Sequence, residues 1–183
     1  LHTDEITYSV ITPVDDSRMA GGVLASYKRI SLALFAALES LDLPVTISEK
    51  KVEPTKDIDP VCFDVPSIYE ITLNGKKIIG SAQARKGTGI LQHGSFPLTG
   101  DLTRIADGLT YATDEERSAA KAKILEKATT AEVDGKVITW DEAAKAFQEA
   151  FTKVLNLEFT KEPLTADELS LISEFEKDKR ENL

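Results

Sequence analysis

The sequence predicts an α+β fold, because strand patterns lie before Leu98 and helix patterns lie after it. In the first part, short β-branched segments alternate with turn residues, and Asn74-Gly75 is a strong hairpin signal. In the second part, three threonines are each followed three residues later by a glutamate, a pattern that caps a helix. We therefore expect a mixed β-sheet with packed helices and a helical C-terminal segment.

The strand predictions rest on β-branched residues and on the turn residues that separate them. In chain order, strands are predicted at Glu5–Ile11, Val45–Ile47, Tyr69–Leu73, Lys77–Gln83 and Thr88–His93. The third and fourth should form a hairpin around Asn74-Gly75. The polar stretch Glu49–Pro60 contains Pro54 and Pro60, and it predicts a mobile loop.

The helix predictions rest on apolar spacing and on capping residues. The long helix is expected at Gly22–Leu41, and the capping boxes pair Thr113 with Glu116, Thr139 with Glu142 and Thr165 with Glu168. These boxes predict helices at Asp114–Ala128, Trp140–Leu155 and Ala166–Glu181. We interpret their apolar stripes as core-packing surfaces: Ala143, Phe147, Ala150, Phe151 and Val154 in one helix, and Leu169, Ile172 and Phe175 in the next.

Composition favours a single globular domain over residues 1–183. The chain has 42% hydrophobic and 29% charged residues, and its longest apolar runs are too short to span a membrane. A net charge of −9 argues against nucleic-acid binding. One cysteine excludes an internal disulfide, so a cytoplasmic protein is expected. Because the chain begins without methionine, we expect its N-terminal portion to be missing.

The lone cysteine, Cys62, is a candidate nucleophile or an inert packing residue. A thiol reacts as the thiolate, which nearby positive charge stabilises. Lys77 follows it by fifteen residues, and the Asn74-Gly75 turn would bring that lysine back toward it. Without further context, Lys76 and Lys77 are read more simply as charges on a hairpin edge.

Small side chains at Gly80, Ser81 and Ala82 would let a ligand or a helix approach the backbone closely. His93 and His2 are candidates for proton transfer or for structural hydrogen bonding. They are too far apart in the sequence to form a zinc pattern with Cys62, and no phosphate-loop or dinucleotide fingerprint is present. A Cys-His hydrolase remains an alternative, although no third member of a triad is identifiable.

Several stretches carry a family resemblance. They are the opening Leu1–Ile11, the block Cys-Phe-Asp-Val-Pro-Ser-Ile-Tyr-Glu from Cys62, and Lys76–Gln83 with Ile90–Ser95. Together they resemble the superfamily of lipoate ligases, biotin ligases and octanoyltransferases, and most of all the LipM-type octanoyltransferases. The cysteine block discriminates best, since ATP-dependent ligases of the superfamily need no cysteine there.

The resemblance implies a biotin/lipoate ligase-like catalytic fold and an acyltransferase of lipoate biosynthesis. Such enzymes move an octanoyl group from the phosphopantetheine of acyl carrier protein to a lysine of a lipoyl domain, typically the glycine-cleavage H protein. Cys62 matches the acyl-accepting cysteine and Lys77 the superfamily's lysine. Gly80, Ser81 and Ala82 would line the acyl and carbonyl pocket, His93 lies in a Gln-His-Gly element, and His2 would close a family motif.

No metal or further cofactor is implied. The arginine- and glycine-rich part of the motif that His2 would close is not present before Leu1. Two alternatives therefore stay open beside the octanoyltransferase: an ATP-dependent lipoate-protein ligase, and a non-catalytic relative that binds an acyl group or a partner.

Overall fold

The computed structural model describes residues 3–48 and 69–181. The predictions made for His2, for Cys62 and for the loop Glu49–Pro60 lie outside these residues. The described part confirms an α+β fold with strands before residue 98 and helices dominating after it.

The strands are β1 (Glu5–Pro13), β2 (Val45–Ser48), β3 (Glu70–Leu73), β4 (Lys76–Lys77), β5 (Gly80–Lys86) and β6 (Gly89–Pro97). The helices are α1 (Gly22–Ser40), α2 (Arg104–Asp107), α3 (Asp114–Lys127), α4 (Trp140–Leu155) and α5 (Ala166–Glu181). A single 3₁₀ turn, Ser17–Met19, lies between β1 and α1. That turn and α2 have no counterpart in the sequence predictions.

The strands form two three-stranded sheets, one in the order β1-β6-β5 and the other in the order β2-β3-β4. Every named strand pair in the described residues is antiparallel. An isolated parallel bridge joins Lys77 to Ala128 and so connects the smaller sheet to the end of α3.

The predicted hairpin forms, but its second strand is divided between the two sheets. Asn74 and Gly75 both have positive φ angles, of 51° and 80°, as a tight two-residue hairpin turn requires. Lys77 pairs with β3, whereas the chain from Gly80 onward pairs with β6 in the other sheet. Ile78 and Ile79 lie between them and are 0% and 4% exposed. Burying this apolar pair ends one ladder and begins the next, so the prediction of one strand over Lys77–Gln83 was wrong.

Aromatic residues connect the inner face of the larger sheet to α4. The rings of Phe96 and Phe147 stack with centroids 5.6 Å apart. Tyr8 contacts Phe147 and Phe151 at 6.5 and 6.2 Å between centroids. Helix α1 adds a buried stripe of Ile30, Ala33, Leu34, Ala37 and Leu38. The core therefore lies between this sheet face and the two long helices.

The predicted core stripes are only partly correct. In α4 the first four residues of the predicted stripe are buried: Ala143, Phe147, Ala150 and Phe151. The fifth, Val154, is 40% exposed, and Leu155 is buried instead. Leu155 follows Phe151 by four residues and so shares its face. The stripe in α5 is exposed, since Leu169, Ile172 and Phe175 are 52%, 44% and 68% accessible. Apolar spacing indicates a helix, but it does not show whether another element packs against the apolar face of that helix.

Among residues 3–48 and 69–181, none of the helices combines the length and the apolar character needed to cross a membrane.

Candidate functional site

Lys77 is a buried cation with an acidic partner. Its side chain is 5% exposed, and its Nζ lies 2.9 Å from Oε1 of Glu70. Lys77 pairs across the hairpin with Thr72, two residues beyond Glu70, so the two charged side chains share one face of the sheet. The neighbouring Lys76 is exposed and donates to the carbonyl of Leu125 at 2.5 Å. The reading of both lysines as surface charges was therefore wrong for Lys77.

Glu70 and Ser81 line the same small cleft, between α1 and the two sheets. The cleft is also lined by Tyr27, Ser31, Leu34, Tyr69, Ile71 and Ile79. Through Glu70, the structure brings the Lys77 ammonium to the cleft that contains the Ser81 hydroxyl. These are two of the residues that the sequence predicts for one site.

Ser48 and Tyr69 flank the segment that contains Cys62, and Tyr69 lines this cleft. The backbone N–H of Tyr69 donates to the carbonyl of Ser48 at 2.9 Å, so the two flanking residues are adjacent. Tyr69 is a wall of the cleft and also lies under the ammonium of Lys28, which is 4.8 Å from its ring centroid. The two residues that flank positions 49–68 are thus neighbours, and one of them is part of the candidate site.

The Ser81 hydroxyl is held by Tyr8. Its Oγ lies 2.7 Å from the Tyr8 hydroxyl, across the intervening strand β6. Gly94 of β6 pairs with both residues, and a Cβ at Gly94 would collide with Ser81 Oγ, a Tyr8 ring carbon and the Gly80 carbonyl. The glycine thus leaves the space through which the tyrosine reaches the serine.

A buried row of polar side chains continues from Tyr8 along the inner face of the sheet. Gln92 Nε2 donates to the Tyr8 hydroxyl at 3.1 Å, and Gln83 Nε2 donates to Gln92 Oε1 at 2.8 Å. Ser26 of α1 lies 2.9 Å from Gln83 Oε1. Gln92 and Ser26 are fully buried, so these partners compensate for the water that both have lost.

Arg85 ends this row. One guanidinium nitrogen donates to Ser26 Oγ at 2.8 Å and to the Met19 carbonyl at 3.1 Å. Its Nε lies 3.5 Å from Gln83 Oε1.

Burial raises the pKa of Tyr8 to about 12, against smaller opposing effects of its hydrogen bonds to Gln92 and Ser81. The phenol at the other end therefore keeps its proton across the physiological range.

His93 and Ala82 lie on the opposite face of the same sheet. They pair with each other, and both are exposed. Side chains alternate along a strand, so these two point away from the face that carries Ser81 and Gln92. Gly80 is buried at the start of β5. Ser81 thus lines the cleft, Lys77 pairs with Glu70 of that cleft, and Gly80 directly precedes Ser81, whereas the side chains of Ala82 and His93 lie on the other face of the sheet. The binding role of each remains a prediction.

Several residues at the site were missed by sequence reasoning. Glu70 stands at the end of the cysteine block but was given no role. Gln83, Arg85 and Gln92 occupy inward-facing positions of strands, where apolar residues are expected. Polar residues repeated at such positions were the available signal for an internal hydrogen-bond network.

An apolar groove of about 520 Å³ lies apart from the cleft, between β1 and the end of α4. It is lined largely by Val10, Ile11, Phe147, Phe151, Leu157 and Phe159. None of the described residues that the sequence predicts for the site lines this groove. Within residues 3–48 and 69–181, no cluster of three or more His, Cys, Asp or Glu side chains is arranged to hold a metal ion.

The sequence model of one protein family, the lipoyl protein ligase A/B catalytic domain, matches residues 1–152 of the chain. The chain belongs to this family. The resemblance found in the sequence motifs is thereby confirmed, and the match covers both sheets, the cleft and most of α4.

Within the lipoyl protein ligase A/B family, the chain is similar to proteins named octanoyltransferase LipM. It is 38% identical over 176 residues to the one from Moorella thermoacetica, covering 95% of this chain and 64% of that protein. It is 35% identical over 188 residues to that of Bacillus anthracis, covering 100% and 68%, and 34% identical over 178 residues to that of Bacillus subtilis, covering 94% and 64%. The chain thus spans about two thirds of the length of these curated relatives.

Solved structures of lipoate-protein ligases share the fold. A bipartite lipoate protein ligase from Thermoplasma acidophilum has a TM-score of 0.69 at 20% identity, covering 94% of this chain and 59% of that one. A lipoate-protein ligase A bound with ATP has a TM-score of 0.65 at 20% identity, covering 93% and 60%. The ligase-like fold expected from the sequence is confirmed.

Proposed function

We propose that the protein is an octanoyltransferase of lipoate biosynthesis that carries the acyl group on Cys62. The observation that carries the proposal is the buried ammonium of Lys77, which pairs with Glu70 of the cleft whose wall also includes Tyr69, the residue that follows positions 49–68. The similarity to proteins named octanoyltransferase LipM supports the choice of acyl group.

Cys62 is within reach of the cleft by chain length alone. It precedes Tyr69 by seven residues, and at about 3.5 Å per residue this stretch spans at most about 25 Å. A thiolate is stabilised by nearby positive charge, and Lys77 is a buried cation in this part of the fold. We infer that the ammonium helps Cys62 to react as the thiolate.

In the first step, the Cys62 thiolate attacks the carbonyl carbon of the octanoyl thioester on acyl carrier protein. A carbon–sulfur bond forms to Cys62, and the bond to the phosphopantetheine sulfur breaks. The carrier leaves as its thiolate, which takes up a proton from water. Lys77 and the backbone amides near Gly80 to Ala82 stabilise the charge that develops on the carbonyl oxygen.

In the second step, the neutral amine of an acceptor lysine attacks the acyl-Cys62 thioester. A carbon–nitrogen bond forms, the Cys62 thiolate is released, and the amine loses one proton. An amide is more stable than a thioester, so the sequence of steps needs no ATP. The acceptor we propose is a lysine of a lipoyl domain, with the glycine-cleavage H protein as the first candidate.

The test is intact-mass spectrometry after incubation with octanoyl-acyl carrier protein, without ATP. We expect one octanoyl adduct that hydroxylamine removes, that Cys62→Ser abolishes, and that disappears when H protein is added and becomes octanoylated. An adduct that persists in Cys62→Ser contradicts the covalent mechanism. Labelling of H protein that requires ATP and free octanoate, and that persists in Cys62→Ser, identifies a ligase instead.

A further inference from the structure

The polar row from Arg85 to Ser81 has a defined direction of hydrogen donation. A guanidinium has only donors, so the Ser26 Oγ that lies 2.8 Å away must accept from Arg85. The positive field of Arg85 also favours the carbonyl end of the Gln83 amide, whose Oε1 lies 3.5 Å from Arg85 Nε. Arg85 therefore fixes which way the Gln83 amide is turned.

That orientation passes through the two glutamines. With its oxygen toward Arg85, Gln83 presents its NH₂ group to Gln92 Oε1 at 2.8 Å. Gln92 then has only its own NH₂ group to present to the Tyr8 hydroxyl, which accepts at 3.1 Å. Each amide accepts at one end and donates at the other, so the direction is preserved.

Tyr8 is the last link before Ser81. Its hydroxyl oxygen accepts from Gln92 at 3.1 Å. The contact with Ser81 Oγ at 2.7 Å allows either hydroxyl as donor, and because Gln92 already donates to the Tyr8 oxygen, we infer that Tyr8 donates its own proton to Ser81. Tyr8 stays protonated, because burial raises its pKa to about 12. With Tyr8 as the donor, one lone pair of the Ser81 oxygen is engaged, and the Ser81 proton points away from Tyr8.

Ser81 lines the cleft beside Glu70 and Tyr69. Among residues 3–48 and 69–181, the Tyr8 hydroxyl is the one side-chain partner recorded for the Ser81 hydroxyl. A ligand atom that approaches in the cleft would therefore meet a hydroxyl that donates. Such a donor suits an acyl carbonyl oxygen, which becomes negative during acyl transfer.

We propose that Arg85, through Gln83, Gln92 and Tyr8, sets the Ser81 hydroxyl as a hydrogen-bond donor to the acyl carbonyl oxygen. The proposal rests on the octanoyl-transfer function above. Ser81 is the group that touches the acyl carbonyl, and the other four are positioning residues that act only through it.

A double-mutant cycle tests this dependence. We expect Ser81→Ala to lower kcat for octanoyl transfer about 100-fold with KM nearly unchanged, as for loss of one oxyanion donor. Tyr8→Phe should lower kcat about tenfold, because Ser81 stays but is no longer oriented. In the Ser81→Ala background, Tyr8→Phe should have no further effect on kcat. An equal loss in both backgrounds overturns the proposal.

Two further variants separate positioning from folding. Tyr111→Phe removes a phenol from the separate apolar cluster around Ala106 and Ile124 and should leave kcat unchanged. Gln92→Met keeps the size of the side chain but interrupts the row of hydrogen bonds. It should therefore lower kcat as Tyr8→Phe does, and it should have no further effect on kcat in the Ser81→Ala background. Thermal unfolding of each variant shows whether it is folded. A folded Gln92→Met with the wild-type kcat overturns the proposal.

A spectroscopic readout separates this proposal from octanoyl transfer itself. The probe is an octanoyl ketone analogue of the thioester, labelled with ¹³C at the carbonyl and followed by infrared spectroscopy. We expect its stretching frequency to fall on binding, to rise in Ser81→Ala and to take an intermediate value in Tyr8→Phe. This result stands even if Cys62 forms no adduct. A frequency unaffected by Ser81→Ala, or no binding of the analogue, overturns the proposal.

Discussion

The hydroxyls of Tyr8 and Ser81 lie 2.7 Å apart, although their strands β1 and β5 are separated by β6. Side chains on alternate strands of a sheet are ordinarily about 9–10 Å apart, twice the strand spacing. Gly94 lies between the two and contributes no side chain, so the tyrosine ring crosses over it. A contact between two predicted strands thus depends on one glycine in a third.

Gly94→Ala should disrupt this crossing. The new Cβ would collide with the Gly80 carbonyl, Ser81 Oγ and a Tyr8 ring carbon. We expect a loss of about 1–3 kcal/mol in the free energy of unfolding, the usual cost of forcing an extra group into a packed interior. Urea unfolding measures it. Gly89→Ala, also on β6, is the control, since its Cβ would lie 3.7 Å from the Lys86 carbonyl, an ordinary contact. Equal losses for both variants would refute the explanation.

Lys77→Met should destabilise the fold much more than Lys76→Met. The first removes the ammonium from the 20%-exposed carboxylate of Glu70, and breaking a buried pair costs about 3 kcal/mol. Lys76 is exposed, so its substitution should cost less than about 0.5 kcal/mol. Chemical denaturation measures both. Adding Glu70→Gln to Lys77→Met should recover part of the loss, because the Glu70 carboxylate is then no longer left without its ammonium partner. No recovery would contradict an ion-pair origin.

The capping boxes of α4 and α5 should differ in their effect on global stability. Each has its threonine hydroxyl accepting from the glutamate N–H, at 3.3 Å in α4 and 3.2 Å in α5. Thr139→Ala should lower the free energy of unfolding by about 1 kcal/mol, because α4 is packed into the core. Thr165→Ala should reduce helical circular dichroism without moving the unfolding midpoint, because the apolar residues of α5 are exposed. Equal midpoint shifts would contradict this difference.

Acid should weaken the α4 box in a defined direction. Hydrogen bonds from the Thr139 side chain and backbone hold the pKa of Glu142 below its ordinary value of 4.5. A lowered folded-state pKa contributes stability above pH 4.5, and this contribution is lost as the pH falls through the folded-state pKa. The stability difference between the protein and Glu142→Gln should therefore shrink on acidification. Unfolding curves between neutral and acidic pH check this, and a constant difference would contradict it.

Base should act on Tyr8 in the opposite direction. Burial raises its pKa from 10.0 to about 12, so its contribution to stability is complete below pH 10 and is lost as the pH rises through about 12. Compared with Tyr8→Phe, the protein should lose stability across this interval. Phenolate absorbance should show one late-ionising tyrosine that is absent from Tyr8→Phe. A late step that survives the substitution belongs to another residue.

Local patterns in the sequence predicted most of the elements, since strands and helices depend on neighbouring residues. The α4 box and the Asn74-Gly75 turn formed as expected because each is satisfied within a few residues. The division of Lys77–Gln83 between two sheets was not predicted, because alternate pairing partners are distant in the chain. The exposure of Phe175 was missed for the same reason, because apolar spacing within a helix does not show which element, if any, packs against that helix.

The candidate site shows a similar limit. Lys77 and Ser81 were identified from motifs, but the partner of each comes from elsewhere in the fold. Glu70 reaches Lys77 across a hairpin, whereas Tyr8 reaches Ser81 from a strand 73 positions earlier. Such long-range pairs leave only an indirect trace in the sequence, namely polar residues where a strand should face the interior.

The division of the strand after Lys77 also fixes the spacing of two residues of the candidate site. Lys77 and Ser81 are joined by a short backbone link whose middle, Ile78 and Ile79, is locked in the interior. The Lys77 charge and the Ser81 hydroxyl are therefore held four residues apart on a backbone that both sheets fix. Substitutions at the α1 residues that line the cleft would reshape the cleft without altering this spacing.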